Sequence, residues 1–348
     1  MKLSLILALH NVEGYVADCV RSIIKATDGT DAHGLEVVIV DDASQDRSLE
    51  VALDEFAGWG GSVAHIRLDE NVGVGGARGR GVALARGRFL WFIDPDDELV
   101  PDAIATVIRR LGSASQSTII EFPVIHRIDE LGRTLAFADR SLATVASTRF
   151  GSSISGAEYA LRLLCRRVPG VLWTKVFPAS VLQAHLVSSE RHSEDILTLF
   201  RILQEDCSVV QFEEVIYRYR DRATSLTRSP NYFLRNAGQY AECVELARSA
   251  PWWSPTFDWA SDYFLFSRVE MPRMRALARG ENEGDFRNEF RRASTAASWR
   301  SVWWWLVGAK LPFDRVGILA RTFVLAKAVP SSWRLYLLYW RRNAARKG

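Results

Sequence analysis

Cysteine is scarce in this 348-residue chain: Cys19, Cys165, Cys207 and Cys243 stand at wide, irregular spacing with no C-x-x-C pair. That usage favours reduced, buried thiols in the cytosol over a disulfide framework. No G-K-[ST] occurs anywhere, which excludes a P-loop. No uncharged run in the tryptophan-rich tail approaches the roughly 18 residues of a spanning helix. LSLILAL at 3–9 is too short for a signal peptide and runs straight into a folded pattern, so a cytoplasmic location is the expectation. Acidic residues are missing after Asp314, where eight basic ones stand. The chain has no internal repeat and no low-complexity segment.

What is present suits a folded body of two or three domains, with 48% hydrophobic and 24% charged residues. The net charge of +3 hides an asymmetry. Up to Arg228 there are 25 basic against 31 acidic residues; from Ser229 onward there are 19 against 10. Nine of the twelve tryptophans lie beyond residue 250. The two parts therefore face different surroundings.

The first 125 residues alternate strand-like runs (3–9, 36–42, 63–68, 89–94, 118–125) with helix-like stretches near 13–27, 46–57, 75–86 and 101–111. Strands separated by helices predict βαβ units and a mainly parallel sheet. Asp46 is expected to cap the second helix and Pro101 to open the fourth. A hairpin is expected around Gly132, helices at 158–165 and 193–205, and one long strand at 208–220.

The chemistry concentrates in FLWFIDPDD, residues 89–97, where an apolar strand ends in Asp94, Asp96 and Asp97. Open α/β sheets bind ligands at such strand ends, and three acids this close repel one another unless a cation sits among them. A divalent metal shared with a phosphate-bearing substrate is the economical answer. Asp41 and Asp42 end the second strand on the same edge. Glycines 73, 75, 76, 79 and 81 allow close backbone approach around Arg78, which could hold a diphosphate. A dinucleotide-binding fingerprint is rejected, because Arg78 stands where its third glycine belongs and the segment follows the third strand.

In order, ALHN (8–11), DDASQDRS (41–48), NVGVGGARGRG (71–81), DPDD (94–97), W-T-K (173–175), SED (193–195) and YRYRDRATS (217–225) resemble glycosyltransferase family 2. The resemblance covers about residues 1–228. It implies an α/β A-type glycosyltransferase fold with a Rossmann-like, mainly parallel sheet, completed here by a C-terminal helical extension. Its nucleotide-sugar-binding half would be 1–112, its acceptor-binding half 113–228, and the basic extension 229–348. The family usually has Pro where Ala8 stands, Tyr where His10 stands and Asn where Gly79 stands.

Carried over residue by residue, the resemblance assigns Ala8, His10, Asn11, Asp41 and Asp42 to the donor's nucleobase and ribose, Asn71 to substrate binding, and Arg78 to a place near the diphosphate. Asp94 would contact ribose or metal, and Asp96 a Mg²⁺ or Mn²⁺, with His192 a further candidate ligand. Asp195 matches the catalytic base; Trp173 and Lys175 match positions near the acceptor and phosphate side. The implied reaction is inverting transfer of a sugar, from a UDP-sugar by the resemblance, to a hydroxyl of a surface polysaccharide, teichoic-type polymer or lipid-linked glycan. A nucleotidyltransferase and a non-catalytic sugar-nucleotide or glycan-binding scaffold are the alternatives. The basic aromatic tail suits an anionic membrane surface, which would make the protein peripheral on the inner face of the plasma membrane. It equally suits packing on the catalytic domain or self-association, whereas nucleic acid is a poor match.

Overall fold

A computed structural model of the protein describes residues 2–112, 114–123, 125–139, 150–186, 194–222 and 236–270. The chain divides into two units, residues 1–159 with 168–224, and residues 160–167 with 225–348.

The first unit opens with β1 (Leu3–Leu9), α1 (Glu13–Ala26), β2 (Leu35–Asp41), α2 (Ser48–Glu55), β3 (Ser62–Arg67), α3 (Gly73–Leu84) and β4 (Phe89–Ile93). It continues with β5 (Glu98–Leu99), α4 (Ala103–Leu111), β6 (Thr118–Glu121), β7 (Ile125–Ile128), β8 (Thr134–Asp139) and β9 (Ser153–Ser155). After α5 (Gly156–Leu164), which runs on past the unit's boundary, come β10 (Lys175–Pro178), α6 (Ala179–His185), α7 (Glu194–Ile202), β11 (Ser208–Gln211) and β12 (Tyr217–Arg220).

Eight strands form one sheet in the order β3-β2-β1-β4-β10-β6-β11-β9. The four on the β3 side pair in parallel, so their C-terminal ends share one edge. Strand β10 runs antiparallel to both β4 and β6, which brings its first residue, Lys175, to that same edge. Both faces of the sheet are covered, and β1, β2 and β4 are accordingly apolar almost throughout. Helix α1 buries Val16, Cys19, Val20, Ile23 and Ala26, a stripe at three- and four-residue spacing that faces the core.

A second sheet, β5-β12-β7-β8, stands beside the acid turn that follows β4. Strands β7 and β8 make the expected hairpin, with Gly132 at φ +77°.

Four local expectations need correction. The predicted strand 118–125 is two strands in different sheets, because Pro123 has no N–H to continue a ladder. The predicted long strand 208–220 also divides between the sheets, with Phe212–Ile216 as the crossing and Glu214 turned outward onto Arg110. Helix α4 begins at Ala103 rather than Pro101, because Asp102 adopts a left-handed backbone, φ +62°. Asp46 lies one residue before the cap of α2, yet still accepts the Ser48 amide at 3.1 Å.

In the second unit the described helices are α8 (Ala237–Ser249) and α9 (Asp258–Leu265), followed by a π-helical turn at Phe266–Glu270. Tyr240, Cys243, Val244 and Ala247 are the buried face of α8. No helix among the described residues is long and apolar enough to cross a membrane. The basic tail beyond 270 lies outside them.

Candidate active site

The edge where β1 and β2 end is built by backbone amides and short polar side chains. Asp42 is buried, and its two carboxylate oxygens accept the amides of Val72 (2.7 Å) and Gly73 (2.9 Å). These are orphan donors at the start of α3, where a carboxylate also complements the helix dipole. Gly73, at φ +82°, supplies a backbone turn that a side chain would strain. Asp41 is buried as well, paired with Arg67 at 2.5 Å and accepting the Ser44 amide. Above them His10, Asn11 and Asn71 are exposed. His10 Nδ1 donates to the Asp42 carbonyl (2.8 Å), which leaves Nε2 to accept from Asn11 Nδ2 (3.1 Å) and Asn71 Nδ2 (3.2 Å). Asn11 is held at φ +52° while its side chain accepts the Gln45 amide.

The acid turn after β4 is gripped by β12, whose YRYRDR sequence alternates tyrosine and arginine before a second acid. Tyr217 OH accepts the Asp94 amide (3.0 Å), and the Arg220 amide donates to Asp97 Oδ1 (2.7 Å). The Arg220 side chain bonds the Asp96 carbonyl and Glu98, while Arg222 pairs with Asp96 at 2.5 Å. Arg220 and Arg222 also lie over the ring of Tyr15, 5.6 and 5.0 Å from its centre. Burial, with Asp96 and Asp94 nearby, pushes the Asp97 carboxyl well above its usual range.

The centre of the edge is a single guanidinium. Arg78, on α3 and 4% exposed, bonds Asp94 (2.8 Å), Glu194 (2.6 Å) and Asp195. Asp195 also accepts the Leu172 amide through Oδ2 at 3.3 Å. Burial alone would lower the Arg78 pKa, but the three acids outweigh it and the net shift is upward. Glu194, 3% exposed, is pushed up to about 8 by burial and by Asp195, against the pull of Arg78. Asp94 rises to about 6 for the same reason, burial, although its carboxylate is 30% exposed and water tempers the effect.

Residues 4–159 match the family model described as Glycosyl transferase family 2. The chain carries a glycosyltransferase family 2 domain. EpsH of Bacillus subtilis (strain 168), which bears a glycosyltransferase name, is 28% identical over 230 residues, covering 65% of this chain and 62% of its own length. The match therefore spans about three fifths of that relative. ExoO of Rhizobium meliloti (strain 1021), a succinoglycan biosynthesis protein, is 33% identical over 130 residues, 36% of this chain and 35% of ExoO. Among solved structures, Staphylococcus aureus TarS 1–349 in complex with UDP-GlcNAc aligns with a TM-score of 0.64 at 18% identity, over 94% of this chain and 91% of that one. That likeness gives the A-type glycosyltransferase fold.

Three of the expected contact residues face inward. Lys175 is fully buried, with Nζ paired to Glu121 (2.9 Å) and donating to the carbonyls of Pro169 and Val171, so it presents no charge to a ligand. Trp173 is 5% exposed, stacked on Tyr217 (4.5 Å) and Tyr219 (5.7 Å). Arg78 sits among acids rather than at an open phosphate loop, because the glycine segment is helix α3 and not a loop. Gly81 of that helix instead allows close packing on β1, where a Cβ would meet Ile6 at 2.4 Å. His192 and Ser193 lie outside the described residues.

Sequence reasoning passed over Glu194, Arg220 and Arg222. The alternating YRYRDR was the available signal for the two arginines; nothing local marks Glu194 as the buried member of its pair.

Asp94 and Asp96 each keep one carboxylate oxygen outside the ion pairs just described, Oδ2 of Asp94 and Oδ1 of Asp96. Among the described residues no cluster of three or more ligating side chains forms. Two hard carboxylates completed by substrate phosphate oxygens and water match what Mg²⁺ takes in such sites, so the donor set fits.

Proposed function

We propose that this protein is a metal-dependent, inverting glycosyltransferase. It would transfer a sugar from a UDP-sugar to a hydroxyl of a surface polysaccharide, teichoic-type polymer or lipid-linked glycan. Catalysis is assigned to residues 1–228, with the donor on 1–112 and the acceptor on 113–228, and the basic extension is left to a membrane surface or self-association. The observation that carries the reading is the meeting of Asp94, from the sheet edge, with Asp195, from α7, on one buried arginine, Arg78; Asp94 and Arg78 lie in the residues that match the family 2 model. TarS, of the same fold, holds UDP-GlcNAc, and ExoO belongs to a polysaccharide pathway by name; both support the substrate classes.

His10, Asn11 and Asn71 would meet the nucleoside. Asp94 and Asp96 would hold Mg²⁺ or Mn²⁺, which when bound neutralises charge on the departing diphosphate. Asp195 would take the proton of the attacking hydroxyl, which is too weak a nucleophile at its own pKa, and attack from its side inverts the anomeric centre. Asp195, whose side chain is 19% exposed, suits this better than buried Glu194.

The test is a thermal-shift panel of UDP-, GDP-, CDP- and dTDP-sugars with and without Mn²⁺, followed by nucleoside diphosphate release. Stabilisation by one sugar nucleotide only when metal is present is the expected result. Release of pyrophosphate from a nucleoside triphosphate would instead make the enzyme a nucleotidyltransferase.

A further inference from the structure

The buried lysine has no task in the mechanism above, yet it sits in the most elaborate polar network of the sheet. Lys175 opens β10 directly opposite Glu121 of β6. Glu121 is itself fully buried and accepts from Tyr159 OH (2.7 Å) and Gln211 Nε2 (2.6 Å) as well as from Lys175. On its other side the ammonium donates to the carbonyls of Pro169 (2.9 Å) and Val171 (2.8 Å) and to Thr174 Oγ1 (3.0 Å). Burial pulls the Lys175 pKa down while Glu121 opposes it. An ion pair out of water is a costly way to stabilise a sheet, and an apolar pair would often serve as well. What the pair does here is hold one loop by two of its carbonyls, Pro169 and Val171.

That loop touches the base. Leu172, the residue after Val171, gives its amide to Asp195 Oδ2. Gly170, between the two tethered carbonyls, lies against α7 so closely that a Cβ there would stand 3.0 Å from Ile196, the neighbour of Asp195. The loop held by Lys175 is therefore interlocked with the first turn of the helix that carries the acid.

We infer that Lys175 is a positioning residue: it fixes segment 169–172, and through the Leu172 amide and the Gly170–Ile196 contact it sets where the Asp195 carboxylate points. The inference rests on the assignment of Asp195 as base. The lysine touches neither donor nor acceptor.

The test uses the full chain and Lys175→Met paired with Glu121→Gln, so that no buried charge is left alone. Nucleoside diphosphate release is measured with the sugar nucleotide and metal selected by the panel above, with water as acceptor. Expected is a fall in kcat of roughly 10- to 100-fold, the scale of a misplacement of about 1 Å, with donor KM and Kd within about threefold of the parent. Hydrogen exchange should rise in 168–174 and 194–202 and stay unchanged in 41–48 and 71–81. Gly170→Ala, which alters no charge, should give a smaller loss with the same pattern, and it stands in should the double variant not fold. A rise in donor Kd with kcat intact would overturn the inference, placing Lys175 at the donor. So would exchange rising across 41–48 and 71–81, or an unaltered kcat. Asp195→Asn is run alongside: full release by that variant refutes the base assignment itself, independently of the lysine.

Discussion

The edge where β1 and β2 end and the acid centre of the same sheet are held by opposite means. At the edge, Asp42 is satisfied by two backbone amides, and the side chains above it, His10, Asn11 and Asn71, are exposed and bonded to one another through neutral groups. Such contacts can be exchanged for a ligand's at small cost, since each is worth about 0.5–1.5 kcal/mol net. At the centre, buried Arg78 and Glu194 and the partly exposed Asp94 and Asp195 depend on one another. Removing one member leaves charge that nothing nearby can neutralise. The edge suits recognition, and the centre suits holding a proton acceptor still.

Activity separates the two regions most sharply. Asp195→Asn should lower transfer by about 10²–10⁴-fold, the range of a lost general base, while the donor still raises the melting temperature by as much as in the parent. Loss of that donor-induced shift would move Asp195 to the donor side and break the contrast.

Stability gives the next largest effect. Arg78→Met should cost about 3–5 kcal/mol in urea unfolding, because Asp94, Glu194 and Asp195 lose their common cation. Adding Asp94→Asn, which removes one of the stranded charges, should recover part of it. A cost below about 1 kcal/mol, the level of an exposed pair, would show the centre to be no tighter than the surface.

Asp42→Ala should cost about 1.5–3 kcal/mol, because the amides of Val72 and Gly73 lose a charged acceptor. Unlike Arg78→Met, it leaves no acid stranded.

The pH dependence is subtler. Glu194 holds its proton to about 8 in the folded chain, against 4.5 as its ordinary value. Between those values the folded state binds a proton that the unfolded state has lost, so Glu194 makes stability fall as pH rises through that window. Melting temperature against pH should be flatter in Glu194→Gln over pH 5–8; an identical slope would mean that Glu194 ionises normally. Smallest of all, His10→Ala should change stability by no more than about 0.5 kcal/mol and lower donor affinity. Loss of stability without loss of affinity would make the edge a structural feature.

Much of this arrangement was legible beforehand. FLWFI before DPDD could only be a buried strand ending in acids, and the runs at 3–9, 36–42 and 63–68 fall within a residue of β1, β2 and β3. The strand at 208–220 was misread because strand-forming residues stand on both sides of Glu213 and Glu214, and no glycine or proline marks where the chain changes sheets. Lys175 was misread because a lysine in a motif looks like a ligand contact, and only Glu121, 54 positions away, makes its burial tolerable.

Local pattern alone therefore determined the order of strands and helices, the parallel half of the sheet and the edge on which the acids fall, because hydrophobic period and turn residues act over a few positions. The tertiary structure decided which cation meets which acid. Arg78 reaches Glu194 and Asp195 across 116 and 117 residues, and Arg220 reaches Glu98 across 122. Charges that far apart in sequence are neutralised only where the packed core forces them together out of water, and no stretch of the chain records that choice by itself.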